Sequence, residues 1–136
     1  MIAKTLTAFV ATGIAFAAID SIWLITMAQR LYKPEIGELM APEFRLVPAI
    51  IFYLLYITGM LIFAVRPGLA AGSWQVALAQ GALFGFFCYM TYDMTNYATL
   101  RIWSLKVTVF DLLWGTFLTG SAAAVGTFVT QKVFPA

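Results

Sequence analysis

The sequence predicts an all-α integral membrane protein, a bundle of four transmembrane helices forming one domain over residues 1–136. Three observations predict it. Of the 136 residues, 62% are hydrophobic and 10% charged, and the mean hydropathy is +0.91; soluble domains run about 45–50% apolar and about 25% charged. A soluble domain of this size buries only roughly two-thirds of its surface on folding, too little interior for so much apolar area. Finally, cutting the chain at its charges and prolines leaves four apolar stretches, about 5–27, 46–65, 74–100 and 107–134. Each meets or exceeds the roughly 20 residues that cross about 30 Å of hydrocarbon. Lipid offers the backbone no partners, so such runs should be helices.

The first stretch follows Lys4 and contains Ala15-Phe16-Ala17, a small-x-small pattern that fits secretory cleavage. The apolar run continues to Met27, so it is expected to be a retained helix. The first connection, 29–45, is the longest, with Pro34, Pro42 and six charged residues. Its segment from Pro34 to Met40 predicts a short helical turn at the interface. Arg66-Pro67-Gly68 opens a tight second connection, and the third runs over 101–106. The third and fourth stretches exceed the necessary length and should tilt or project into the interface. The termini and second connection hold Lys4, Arg66 and Lys132, whereas the first and third connections hold Arg30, Lys33, Arg45, Arg101 and Lys106. The excess of positive charge places the latter side in the cytoplasm and both termini outside.

The residue inventory excludes several functions. Eight Lys/Arg against six Asp/Glu give a dispersed net charge of +2, no footprint for nucleic acid. The absence of histidine argues against a haem axial histidine, a zinc site or a histidine base; no metal site is expected, and no cofactor is readable. Cys88, the one cysteine, cannot form an internal disulfide and reads as a small buried hydrophobe.

Against this apolar background three aspartates stand inside the spans: Asp20, Asp93 and Asp111. A carboxylate at mid-bilayer costs at least roughly 2.5 kcal/mol, so such residues face a bundle interior or water. Asp20 lies ten residues before Arg30, Asp93 eight before Arg101 and Asp111 five after Lys106. At 1.5 Å per residue these depths are about 15, 12 and 7.5 Å from the same membrane edge. Tyr53 and Tyr56 fall at a comparable depth in the second span, and Tyr89, Tyr92, Asn96 and Tyr97 crowd that level in the third. Trp23 follows Asp20 by three and Trp114 follows Asp111 by three, and residues three apart share a helix face. One transverse polar layer is therefore expected, and three clustered carboxyls within it would call for shared protons or a bound cation. The order Asp20-x-x-Trp23, Tyr53-x-x-Tyr56, Tyr89-x-x-Tyr92, Asp111-x-x-Trp114 also hints at an inverted relation between the halves.

Small residues show how the helices should meet. Ala77, Gly81, Gly85, Tyr89, Asp93 and Tyr97 recur at steps of four, as do Asp111, Gly115 and Thr119, with Thr116, Gly120 and Ala124 beside them. Such stripes allow close backbone approach in membranes. Because Asp93 and Asp111 continue them, both should point into the bundle. The plain alternative is that carboxyls, hydroxyls and indoles bond one another as glue; the other is a pocket that opens toward the first connection.

Three segments carry a resemblance: Asp20-Ser-Ile-Trp23-Leu, the run from Gly85 to Leu100 with its Tyr89-Met-Thr-Tyr92-Asp93-Met-Thr-Asn96 core, and Asp111-Leu-Leu-Trp114-Gly115. They resemble a family of small bacterial inner-membrane proteins known as a domain of unknown function, the predicted-membrane-protein family numbered 2177. The resemblance covers essentially the whole chain and implies four spans, a multi-pass topology and a bacterial envelope location. It carries no activity and hence no catalytic residues.

Three functions fit these observations. The layer Asp20, Tyr53, Asp93, Asn96 and Asp111 would serve to bind or transport a small solute, a cation or a lipid-like ligand; a complete transport pathway would need a homodimer or larger assembly. A structural subunit of a larger membrane complex would use the same layer as internal bonding. A membrane enzyme acting on a lipid would use paired aspartates as acid and base, or as ligands for a hard cation. Lipid is the expected surrounding in all three.

Overall fold

A computed structural model describes residues 2–136, and all regular structure in them is helical. The first helical run is α1 (Ile2–Met27), a π turn (Ala28–Tyr32), α2 (Lys33–Ile36) and a 3-10 turn (Gly37–Leu39). The second is α3 (Leu46–Met60), a π segment (Leu61–Val65) and α4 (Arg66–Ala71), and α5 (Trp74–Thr99) and α6 (Leu105–Val133) complete the chain. The chain is an all-α membrane bundle of four long helical runs. Three of them, Ile2–Leu39, Leu46–Ala71 and Leu105–Val133, are long and apolar enough to cross a bilayer. The 26-residue α5 has the length, about 39 Å at 1.5 Å per residue, but stands outside those three. The four long helices of the sequence reading are present, and α5 is the more polar of them. The polar side chains of α5, from Gln75 to Asn96, make the difference.

The two long runs shorten the expected connections, and the helical turn expected from Pro34 to Met40 is present as α2 and the 3-10 turn. The first stays helical to Leu39, so only 40–45 is non-helical, and Arg66-Pro67-Gly68 belongs to α4 rather than to a turn. Proline inside a helix removes one hydrogen bond, and its ring collides with the carbonyl four residues back. For Pro34 and Pro67 those carbonyls belong to Arg30 and Phe63, and both lie in π segments. The widened turn gives the ring room, so the helix continues instead of ending. The second run stops at Gly72, which adopts a left-handed φ of 65°. Its N–H donates to the Leu69 carbonyl at 3.2 Å, and the Ser73 N–H donates to that of Gly68 at 2.9 Å, a paired closure of the last turn. Ser73 then caps α5, accepting from the Val76 N–H at 3.3 Å, and Ser104 caps α6, accepting from Val107 at 3.1 Å.

The closest packing joins α5 and α6, and α1 lies against the other side of α6. The α5–α6 seam is built from small residues. A Cβ on Gly81 would meet Ala123 Cβ at 2.8 Å, one on Gly85 would overlap Gly115 and Thr119, and one on Gly115 would strike the Tyr89 ring. Gly120 lies against the Leu78 carbonyl and Ala82, and Ala77 is fully buried. Outward, large apolar side chains dominate the long helices α1, α3, α5 and α6, Ile25 and Ile14 among them. That distribution, inverse to a soluble protein's, suits a lipid surround.

The second run departs from this tight arrangement. Its π segment and α4 hold it to α5, and α3 is not among the elements that contact α5 extensively. None of residues 46–55 is buried. The first half of α3 therefore stands away from α5 at the end of the bundle where the first and third connections meet. Ser104 Oγ, donating to Glu35 Oε1 at 2.6 Å, fastens the third connection to α2.

Candidate functional site

Four helical elements carry the polar layer. On α1, Ala8, Thr12, Phe16 and Asp20 follow one another at steps of four, all buried. Asp20 accepts hydrogen bonds from the Tyr53 hydroxyl of α3 and from Trp114 Nε1 of α6, the latter at 3.3 Å. On α6, Asp111 accepts from the Tyr32 hydroxyl, which itself accepts from Trp23 Nε1 at 2.9 Å. The Trp23 and Trp114 rings stack between the two systems, 4.3 Å apart and 8° from parallel. Each Asp-x-x-Trp motif thus sends its indole N–H across to the other motif's carboxyl, directly in one direction and through Tyr32 in the other. The expectation that each aspartate sits beside its own indole is corrected. Residues three apart share a face, but their polar ends reach forward to the facing helix.

Tyr32 is the residue that sequence reasoning missed, because it was counted among the first connection. It closes the π turn that Pro34 provokes, and that turn sets its hydroxyl on Asp111. A proline two residues beyond an aromatic, in a run with no other proline, is the signal that marks it. Thr119 was read only for its size; it is fully buried, and its Oγ1 lies 2.9 Å from the Tyr56 hydroxyl.

Asp93 differs from the other two acids. It is completely buried on α5, and neither carboxyl oxygen has a hydrogen-bond partner. Its neighbour is the Asp111 carboxyl, close enough for the two to hydrogen-bond when a proton lies between them. The hydrogen-bond partners of Asp20 and Asp111 are phenols and an indole, so no Lys or Arg pairs with any of the three acids among the described residues. The acids are not drawn to one point, and no group of three or more metal-ligating side chains occurs among those residues.

Beside the pair lies a cavity of about 310 Å³, lined by Phe52 and Tyr56 of α3, Cys88, Tyr89 and Tyr92 of α5, and Asp111. The volume is within the range of small-molecule sites, roughly 300–1,000 Å³. Phe52 and Tyr92, 47% and 57% exposed, form the rim, so the cavity opens sideways between α3 and α5. The expected pocket toward the first connection is corrected accordingly. Cys88, read as a buried hydrophobe, is half-buried and part of the wall. Asn96 is half-buried beside the Tyr92 hydroxyl. Tyr97, placed on the same stripe, is 44% exposed, so the inward row ends at Asp93.

An apolar helical surface, carboxyls enclosed by four helical elements and a sideways cavity define an integral membrane protein with a polar layer inside the bundle. The chain matches the family model described as Predicted membrane protein (DUF2177) over residues 5–128 and belongs to that family. No curated protein and no solved structure matches it.

Proposed function

We propose that the protein binds an amphiphilic, lipid-like ligand that enters its cavity sideways from the bilayer. The observation that carries this reading is the opening between α3 and α5, with aromatic walls and one carboxyl, Asp111, at its inner end. An apolar chain fits between Phe52, Tyr56 and Tyr92, and a polar head reaches Asp111. A single bundle suffices for this task. Membership of a membrane-protein family fits a bacterial inner membrane as its place, and the charge distribution favours the first and third connections in the cytoplasm and the termini in the periplasm.

Native mass spectrometry of protein released from lipid nanodiscs tests the proposal. Wild type should retain one amphiphile. Cys88→Trp, which fills the cavity, should retain none while unfolding at an unchanged temperature. A wild-type protein that leaves the bilayer without any adduct contradicts it. A retained protein mass instead would make the opening between α3 and α5 an interface with another membrane chain.

A further inference from the structure

Resting on that reading, we infer that the head group is a protonated amine with N–H donors, seated on Asp111 with Asp93 buried behind it. Four observations converge. Asp93 is fully buried with both oxygens unpartnered, and a buried acceptor without a donor forfeits its desolvation cost. Its neighbour is a second carboxyl, and two such groups in a low-dielectric layer are compatible only with a proton or a cation between or beside them. Among the described residues no side chain supplies that cation: the partners of Asp111 and Asp20 are Tyr32, Tyr53 and Trp114. Finally, the cavity that ends at Asp111 is walled by the rings of Phe52, Tyr56, Tyr89 and Tyr92, and aromatic faces attract ammonium groups.

The donors that reach Asp20 and Asp111, and the Tyr56 hydroxyl, are already engaged. Tyr32 donates to Asp111, Tyr53 and Trp114 donate to Asp20, and Tyr56 pairs with Thr119. A proton shared by Asp93 and Asp111 still leaves one negative charge on the pair, so the unmet demand at the cavity is for positive charge and a donor at Asp111. An ammonium supplies both. An alcohol supplies a donor without charge, and a quaternary ammonium supplies charge without a donor. A divalent metal would need more ligands than these two acids offer.

Three decyl compounds separate the possibilities: decylammonium, decyltrimethylammonium and decanol, each titrated against the full-length protein in one detergent and read by native mass spectrometry. Decylammonium should bind at least about tenfold more tightly than either of the others, the gain expected from a charge-assisted hydrogen bond. Asp93→Asn and Asp111→Asn should each lower decylammonium binding toward that of decanol and leave decanol binding unchanged, which also shows that the variants are folded. Equal binding of all three compounds, or a quaternary head as tight as the primary one, overturns the amine inference while the cavity reading stands. Failure of every compound to bind overturns both.

Discussion

Asp20, Asp93 and Asp111 were legible as inward-facing because their depths agree and two of them continue small-residue stripes. Their partners were not. Which indole meets which carboxyl depends on how helices face one another, and spacing along one helix carries no such information. The clearest case is Tyr32, whose hydroxyl both receives from Trp23 and donates to Asp111. Tyr32→Phe strands the Trp23 N–H and one Asp111 oxygen at once. Polar contacts inside membrane bundles average about 0.6 kcal/mol and reach about 1.7, so a loss of about 1–2 kcal/mol is expected in detergent unfolding. Tyr97→Phe, on an exposed side chain, should change stability by less than about 0.5 kcal/mol. Equal effects for the two would remove Tyr32 from the network.

Helices were readable from apolar length alone, since lipid leaves the backbone no other satisfied state. Their ends were less so. Pro67 looked like the start of a tight connection and Pro34 like the start of a separate helical turn, yet both are absorbed by a π segment one turn earlier. Whether a proline ends a helix or widens it depends on what the chain beyond it can pack against; Gly68 packs against Ala77 of α5 and so keeps α4 in place. The small-residue stripes were readable because close approach demands them, and they make a prediction at this scale. Gly85→Leu forces a side chain into Gly115 and Thr119 and should cost 3 kcal/mol or more, beyond the roughly 1–3 typical of overpacking, because backbone rather than side chain must move. Gly37→Ala meets only Lys33 Cγ, at 3.7 Å, and should be neutral or stabilising by about 0.4–1 kcal/mol. Thermal unfolding of the two variants in one detergent gives the comparison, and a Gly85→Leu protein as stable as wild type would mean that α5 and α6 do not meet along this seam.

Across the whole molecule, tight and open packing are unequally distributed: α5 and α6 are locked together, and α1 closes one side. The first half of α3 has no buried residue and leaves the cavity beside Asp111 open toward lipid. The sequence held no sign of this opening, because Leu46–Met60 is apolar apart from Tyr53, Tyr56 and Thr58 and a largely apolar helix serves equally against protein or lipid. The one cysteine lies in the cavity wall, and this permits a direct measurement of sideways access. Protein in lipid nanodiscs is treated with a lipid-soluble maleimide and, separately, with a charged methanethiosulfonate confined to water, and labelling of Cys88 is followed by mass. The account predicts rapid labelling from the lipid phase, little from water, and protection from the lipid-soluble reagent when decylammonium is present. Labelling by the charged reagent at the faster rate, or a Cys88 that the lipid-soluble reagent never reaches, would contradict a cavity that opens to the bilayer.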